Sequence, residues 1–255
     1  MSDVKAGREF LKARGLDVAA KKNWVTDQNR GLPEPPRQKP CTDNTVLIAL
    51  PPAERLTIGR APFSEVVARR ASHRAFTADP VSMDELAFLL WATQGVRKTE
   101  TVDGETRIRR TVPSAGARYV FETYVVVERV STLEPGLYRY LFLDHKLALI
   151  RKEARLIEKL SQACAAQEWI RGAALAFVWT ALPYRAEWRY AERSHKMIAQ
   201  DSGHVCQNLY LACTAVGLGM TAVGAYIQPE LDRLLGVDGS DEFAIYAAPM
   251  GRVKG

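Results

Sequence analysis

The chain has 255 residues and a mass of 28.4 kDa, 47% of it hydrophobic and 25% charged; this excludes collagen-like and wholly disordered classes, and no apolar run approaches the roughly 18 residues that a membrane helix needs. Its four cysteines, Cys41, Cys164, Cys206 and Cys213, form no CxxC pair and are too sparse for a disulfide scaffold, so a reducing cytoplasm is expected. The 35 Lys and Arg against 29 Asp and Glu give a net charge of +6, which suits an anionic small ligand; without a run of five basic residues it argues against nucleic acid as the partner.

The length predicts one large domain, or one domain with an arm. Residues 1–62 differ from the rest. They hold Pro33, Pro35, Pro36, Pro40, Pro51, Pro52 and Pro62, out of 13 prolines in all, a density that a compact core element does not tolerate. The reading is an N-terminal helical start from Arg8 to Arg14, with no apolar core of a secretory signal before it, followed by an extended arm lying over a body of residues 63–255.

In the body, Phe63 to Arg70 reads as a short helix. Ser82-Met83-Asp84-Glu85 is a capping box, Leu86, Leu89, Leu90 and Thr93 follow helical spacing, and Gly95 stands at the C-cap. Residues 96–110 are polar and charged and read as a loop. Phe121 to Val130 is β-branched and reads as a buried strand. Leu137–Tyr140 and Leu147–Ile150 make a hairpin, 153–168 a helix, and Ala173 to Leu182 another strand. A long helix runs from about Glu187 to Val216, with a break placed near Gly203. Its second half, from His204 on, is apolar nearly all round, as for a helix inside a core or a subunit interface. Met220 to Tyr226 reads as a strand, Pro229 to Leu235 as a helix ended by Gly236, and Glu242 to Pro249 as the last strand. Helices mixed with mainly non-alternating strands predict an α+β fold.

Standard motifs are mostly missing. There is no G-x-G-x-x-G after a strand, no phosphate-binding P-loop, no G-x-S-x-G, and no HExxH or CxxC metal pair. His204 and Cys206 are two residues apart and point to different faces of a helix, so no metal site is expected.

Three segments remain. Within Arg69-Arg70-Ala71-Ser72-His73-Arg74, an extended chain would place Arg70, Ser72 and Arg74 on one side. Guanidinium, hydroxyl and guanidinium in a row can hold a phosphate through charge-assisted bonds, although a solvated basic turn has the same spacing. In Pro113-Ser114-Ala115-Gly116-Ala117 the side chains are small enough for a flat ring to approach the backbone; a plain tight turn is the alternative. Thr221-Ala222-Val223-Gly224-Ala225-Tyr226 is a similar small-residue strand end.

Taken in order, RRASHRAF, LLWATQG, RTVPSAGARYVFETYVVV, PGLYRY, DSGHVCQNLYLACTAVGLG and EFAIYAAPMG resemble the nitroreductase-fold flavoproteins, and within them the SagB/ThcOx-type dehydrogenase branch, over residues 55–251. The resemblance implies a nitroreductase-like fold with a central, mostly antiparallel sheet, an intimate homodimer, and FMN bound where the subunits meet. It implies that Arg70, Ser72 and Arg74 hold the flavin phosphate and ribityl chain. Pro113, Ser114, Ala115 and Gly116 would touch the ring from the other subunit, and Val223, Gly224 and Ala225 would lie near its N5 edge. Arg252 and Lys254 are further candidates for the phosphate. The branch's Lys-Tyr pair falls on Arg189 and Tyr190. Arginine keeps its proton and is a poor general base, which sets azoline oxidation in doubt. The expected activity is an FMN-dependent oxidoreductase in which NADH or NADPH drives two-electron reduction of a nitroaromatic, quinone or similar conjugated acceptor. The alternatives are a dehydrogenase acting on a peptide or small heterocycle, a non-catalytic flavin binder and a basic nucleic-acid-binding module. A small-molecule substrate and no membrane partner complete the expectation.

Overall fold

In the computed structural model, residues 3–12, 25–102 and 105–254 are described. Helix α1 covers Asp3–Leu11; the expected helix start at Arg8–Arg14 therefore begins earlier, and its last residues lie outside the described ones. The segment that follows is held against the body from Val25 onward, and it contributes strand β1 (Leu47–Ala49) to the edge of the sheet.

A seven-stranded sheet forms the middle layer. Its members are β1, β4 (Phe121–Val127), β5 (Gly136–Leu141), β6 (Lys146–Lys152), β7 (Leu175–Ala181), β8 (Leu218–Met220) and β9 (Phe243–Arg252), in the spatial order β1-β6-β5-β4-β7-β9-β8 with every pairing antiparallel. Helices cover both faces, so β4 and β7 are buried along their whole length and their sequences lose the usual polar alternation. Period two survives in what each residue touches. Val125, Val127, Phe177 and Trp179 join the core built with α3 (Met83–Gln94) and α6 (Ser194–Ala215). Tyr124, Val126, Ala176 and Val178 join the core built with α4 (Leu156–Ala163) and α7 (Gln228–Leu235).

Several expectations hold. Helix α2 is Phe63–Arg69. The capping box of α3 is complete, with Ser82 Oγ accepting from Glu85 N–H at 3.2 Å and the Glu85 carboxylate accepting from Ser82 N–H at 2.8 Å. Helix α7 starts with proline in its first turn and ends at Gly236 with φ of 75°. The α+β architecture with an antiparallel sheet is the one expected.

The differences have physical causes. Residues 96–110 are not a loop but a hairpin, β2 (Val96–Val102) with β3 (Glu105–Arg110). Among its described side chains, Ile108 and Arg110 are buried and Val96 packs partly against the core, too little apolar signal to reveal a strand. On its other side Glu100 bridges Lys98 and Arg109, both at 2.8 Å, and relieves two like charges that face each other. The long helix does not break at Gly203, where a Cβ would meet nothing within 4 Å. It breaks at Ala191, between α5 (Tyr184–Tyr190) and α6, where the backbone takes φ 45° and ψ −136°. The strand expected at Met220–Tyr226 is only Leu218–Met220, followed by a loop with one bridge, Val223 to Ala247. Strand β4 stops at Val127, and 153–168 gives α4 and then a tight turn at Glu168–Gly172. Helix α6 buries Val205, Cys206, Leu209, Ala212 and Cys213 but leaves His204 and Gln207 exposed. Gly95 is extended (φ −65°), not left-handed; its small size is needed because a Cβ would lie 2.4 Å from the Trp91 ring.

Candidate active site

Two corners of the body gather the expected residues, and α6 joins them. Tyr210 serves the first and Asp201 the second. Nine residues of helix separate these two by roughly 13 Å along the axis.

At the first corner the chain leaves α2 at Arg70 and runs beside the end of β8. Ser72 bridges Met220 in parallel, His73 N–H donates to Met220 O at 2.9 Å, and Thr221 Oγ1 donates to His73 O at 2.7 Å. The approach is close enough that a Cβ on Gly219 would stand 2.7 Å from that of His73. Tyr210 organises the corner. Its ring lies 5.3 Å from the Arg70 guanidinium, its hydroxyl accepts from Ala222 N–H at 2.9 Å, and it lies 3.0 Å from Ser72 Oγ. With Tyr210 accepting from Ala222, the tyrosine proton can go to Ser72, which leaves the serine hydroxyl to donate outward. Arg74 lies over Trp169 at 5.8 Å. Gln167 bonds Trp169 Nε1 at 3.2 Å and donates to Ala225 O at 3.2 Å. The row 70–74 and the strand end 223–225 thus share one corner. Val223 is fixed by paired backbone bonds to Ala247, while Gly224 and Ala225 are exposed.

Among the described residues neither Arg70 nor Arg74 has a carboxylate within 4 Å. Two cations steadied by rings rather than by acids keep their charge for an anion. The corner therefore fits a phosphate monoester. Arg252 differs: its guanidinium is paired with Glu85 at 2.9 Å, a carboxylate that competes with any phosphate. Lys254 is exposed.

At the second corner Ala115 N–H donates to Asp201 Oδ2 at 3.1 Å, and Ser114 Oγ accepts from Tyr119 N–H at 2.9 Å. Burial raises the Asp201 carboxyl above its ordinary value, against the pull of Ser114, the Ala115 N–H and His204. Gly116 (φ 57°) is required here twice over. The conformation is left-handed, and a Cβ would stand 2.2 Å from the Tyr190 hydroxyl oxygen. The structure thus brings Tyr190 onto the 113–117 turn. Arg189 is exposed, with its guanidinium 5.6 Å from the Tyr190 ring, while Pro113 is exposed and Ser114 half-buried.

Four contributors escaped the sequence reading. Tyr210 and Trp169 carry no motif. Asp201 sits in a helix that otherwise reads as apolar. Arg118, 7% exposed, donates Nε to Arg185 O at 2.7 Å and Nη1 to Glu34 at 2.8 Å, and lies 4.8 Å from the Trp188 ring. Burial lowers its pKa, with Glu34 acting against that.

A family model described as Nitroreductase family matches residues 67–252. The chain is 32% identical over 209 residues to the nitroreductase-type protein MJ1384 of Methanocaldococcus jannaschii, covering 82% of this chain and 98% of that one. It is 31% identical over 175 residues to the trifolitoxin-processing protein TfxB of Rhizobium leguminosarum bv. trifolii, covering 66% of this chain and 46% of TfxB. A crystal structure of a nitroreductase-type protein from Anabaena variabilis superposes with a TM-score of 0.74 at 24% identity, over 96% of this chain and 45% of that one. The chain thus spans about half the length of the last two. With the antiparallel sheet and a match over most of the sequence in agreement, the chain belongs to the nitroreductase family, whose members are FMN-dependent oxidoreductases.

Proposed function

We propose that the chain binds FMN phosphate end first at Arg70, Ser72 and Arg74, with Val223, Gly224 and Ala225 beside the ring. In this reading the turn at Pro113, Ser114, Ala115 and Gly116, with Tyr190 and Arg189, faces the ring from a second copy of the chain, so the site is completed in a homodimer. The separation of the two corners along α6 supports a two-chain site. The observation that carries the reading is the pair of guanidiniums left without carboxylates at the strand end of a nitroreductase-family fold.

Bound FMN supplies reversible two-electron chemistry, and the protein positions it. Arg70 and Arg74 would offset the phosphate charge, Ser72 would donate to the phosphate, and the small residues at 115–116 and 224–225 would let a planar ring lie against backbone. Tyr190, whose hydroxyl lies at Gly116, would face the bound ring, and the exposed Arg189 would favour an anionic substrate group. The substrate reading is reduction of a nitroaromatic, quinone or similar conjugated acceptor, driven by NADH or NADPH. A second reading, oxidation of a peptide or small heterocycle, is favoured by the likeness to TfxB; arginine in place of a lysine base weighs against it.

Purified protein should carry a flavin spectrum that NADH or NADPH bleaches under anaerobic conditions, and a quinone should restore it. A colourless protein that takes up no FMN sinks the reading. A flavin that bleaches only with a peptide or heterocycle substrate selects the second.

A further inference from the structure

Residues before 67 lie outside the family match, so membership assigns nothing to the segment 26–41. The geometry points to that segment as a strap that fixes α5 and the loop 113–119 against each other and so sets the contact between Tyr190 and Gly116, with Glu34 and Arg118 as its positioning residues. The inference rests on the reading of Tyr190 and the 113–117 turn as the face presented to the ring.

Helix α5 has seven residues, too few to be stable by itself. The strap holds it along its length. Tyr184 donates its hydroxyl to Asp27 at 3.0 Å, Arg185 Nε donates to Pro36 O at 2.9 Å, Trp188 Nε1 donates to Leu32 O at 2.9 Å, and Gln28 N–H donates to Trp188 O at 2.9 Å. Arg118 belongs to the loop and meets all three parts. It bonds Glu34 of the strap and Arg185 O of the helix, and it lies over Trp188. The carboxyl of Glu34 is pushed up by burial and pulled further down by Arg37 and Arg118, so it ends below its ordinary value and stays charged.

The strap is itself anchored. Lys39 N–H donates to Glu122 Oε1 at 2.8 Å, the Lys39 ammonium pairs with Glu242, and Arg139 Nη2 donates to Pro40 O at 2.8 Å. Glu122 and Glu242 are 2% and 3% exposed and belong to a buried polar network: Arg185 Nη2 donates to Glu122 at 2.6 Å, and Tyr124 and Thr180 donate to Glu242 at 3.0 and 2.7 Å. The strap is tied into the core at this end.

What the strap restrains is strained. Ala117 (φ 53°) and Tyr119 (φ 48°) in the loop and Ala191 (φ 45°) after the helix all have left-handed φ without being glycine. Such backbone persists only where its surroundings over-determine it. The two strained segments flank the place where the Tyr190 hydroxyl occupies the room left by the missing Cβ of Gly116.

The test uses the full chain loaded with FMN and two variants, Glu34→Gln and Trp188→Phe. The first removes the charge facing Arg118; the second removes the donor to Leu32 O but keeps a ring under the guanidinium. Both should speed amide exchange at 115–119 and 186–191 about tenfold and leave β4 and β7 unchanged. Turnover with NADH or NADPH and a quinone should fall about tenfold, with KM and bound flavin unchanged. Unchanged exchange in those segments, acceleration spread equally over β4 and β7, or faster exchange with unaltered kcat each overturn the strap. The exchange measurement does not need flavin. A chain that binds no FMN thus overturns the functional reading and leaves exchange to decide the strap, while normal turnover with unaltered exchange removes the strap alone.

Discussion

The two corners of the site are built on opposite terms. At the 70–74 corner the backbone is relaxed and ladder-like, and Arg70 (half-buried) and Arg74 (exposed) have no carboxylate partner among the described residues. At the 113–119 corner the backbone is strained and the arginines are buried and paired: Arg118 with Glu34 at the surface, and Arg185 with Glu122 at 2.6 Å. The first spends little structure to present charge. The second spends much structure to hold a few small residues and one tyrosine in place. A corner that grips a ligand by charge can be assembled from local spacing, whereas one that defines a surface for a ring must be braced from several parts of the chain.

The contrast can be broken most directly at the charged corner. Replacing Arg70 and Arg74 together by alanine should weaken FMN binding about a hundredfold, since each charge-assisted bond contributes about 1.5–3 kcal/mol before solvent screening. A fluorescence titration measures it, and the gap from the parent should narrow as salt rises. Equal affinity in the two proteins would remove the corner from the phosphate site.

At the braced corner, Gly116→Ala should cost about 2 kcal/mol in urea unfolding, from the left-handed backbone and the clash with Tyr190. Pairing it with Tyr190→Phe should recover part of that cost; identical losses in both backgrounds would mean that the tyrosine does not fill the space. Ala191→Gly should act in the opposite direction and stabilise the protein by about 1 kcal/mol, because glycine adopts that backbone without strain. A lower melting temperature would show that the strain at 191 is not real.

The smallest effect concerns pH. Burial raises the Asp201 carboxyl above 3.8, so the folded state holds that proton more tightly than the unfolded chain. Its contribution to stability is complete below 3.8 and is lost as the pH rises through the raised folded value. Asp201→Asn keeps an acceptor for Ala115 N–H and removes this loss. The variant's stability, followed by urea unfolding, should fall less than the parent's over that interval; parallel curves would show that the carboxyl is not perturbed.

Much of the fold was readable from local pattern. Ser82 and Glu85 mark one helix start, Pro229 and Gly236 bracket another helix, and the β-branched run at 121–127 marks a strand, because each rests on chemistry between near neighbours. The hairpin at 96–110 was not readable, since among its described side chains only Ile108 and Arg110 are buried. The break at Ala191 was not either: nothing in Tyr190-Ala191-Glu192 marks a left-handed residue, and Ser194 Oγ secures it by donating to Ala191 O at 2.7 Å only once the two helices are placed.

By itself the sequence determined the charged row at Arg70, Ser72 and Arg74, the small-residue turn at Pro113 to Gly116, and the ordered set of motifs that indicates the family, because each is a matter of residue type at fixed spacing. Only the tertiary structure decided that Tyr210 and Trp169 seat the two guanidiniums, that Tyr190 reaches Gly116, and that Glu34 meets Arg118 across 84 residues. These contacts join segments far apart in the chain. Their partners are chosen by how the sheet and helices pack, which no local spacing encodes.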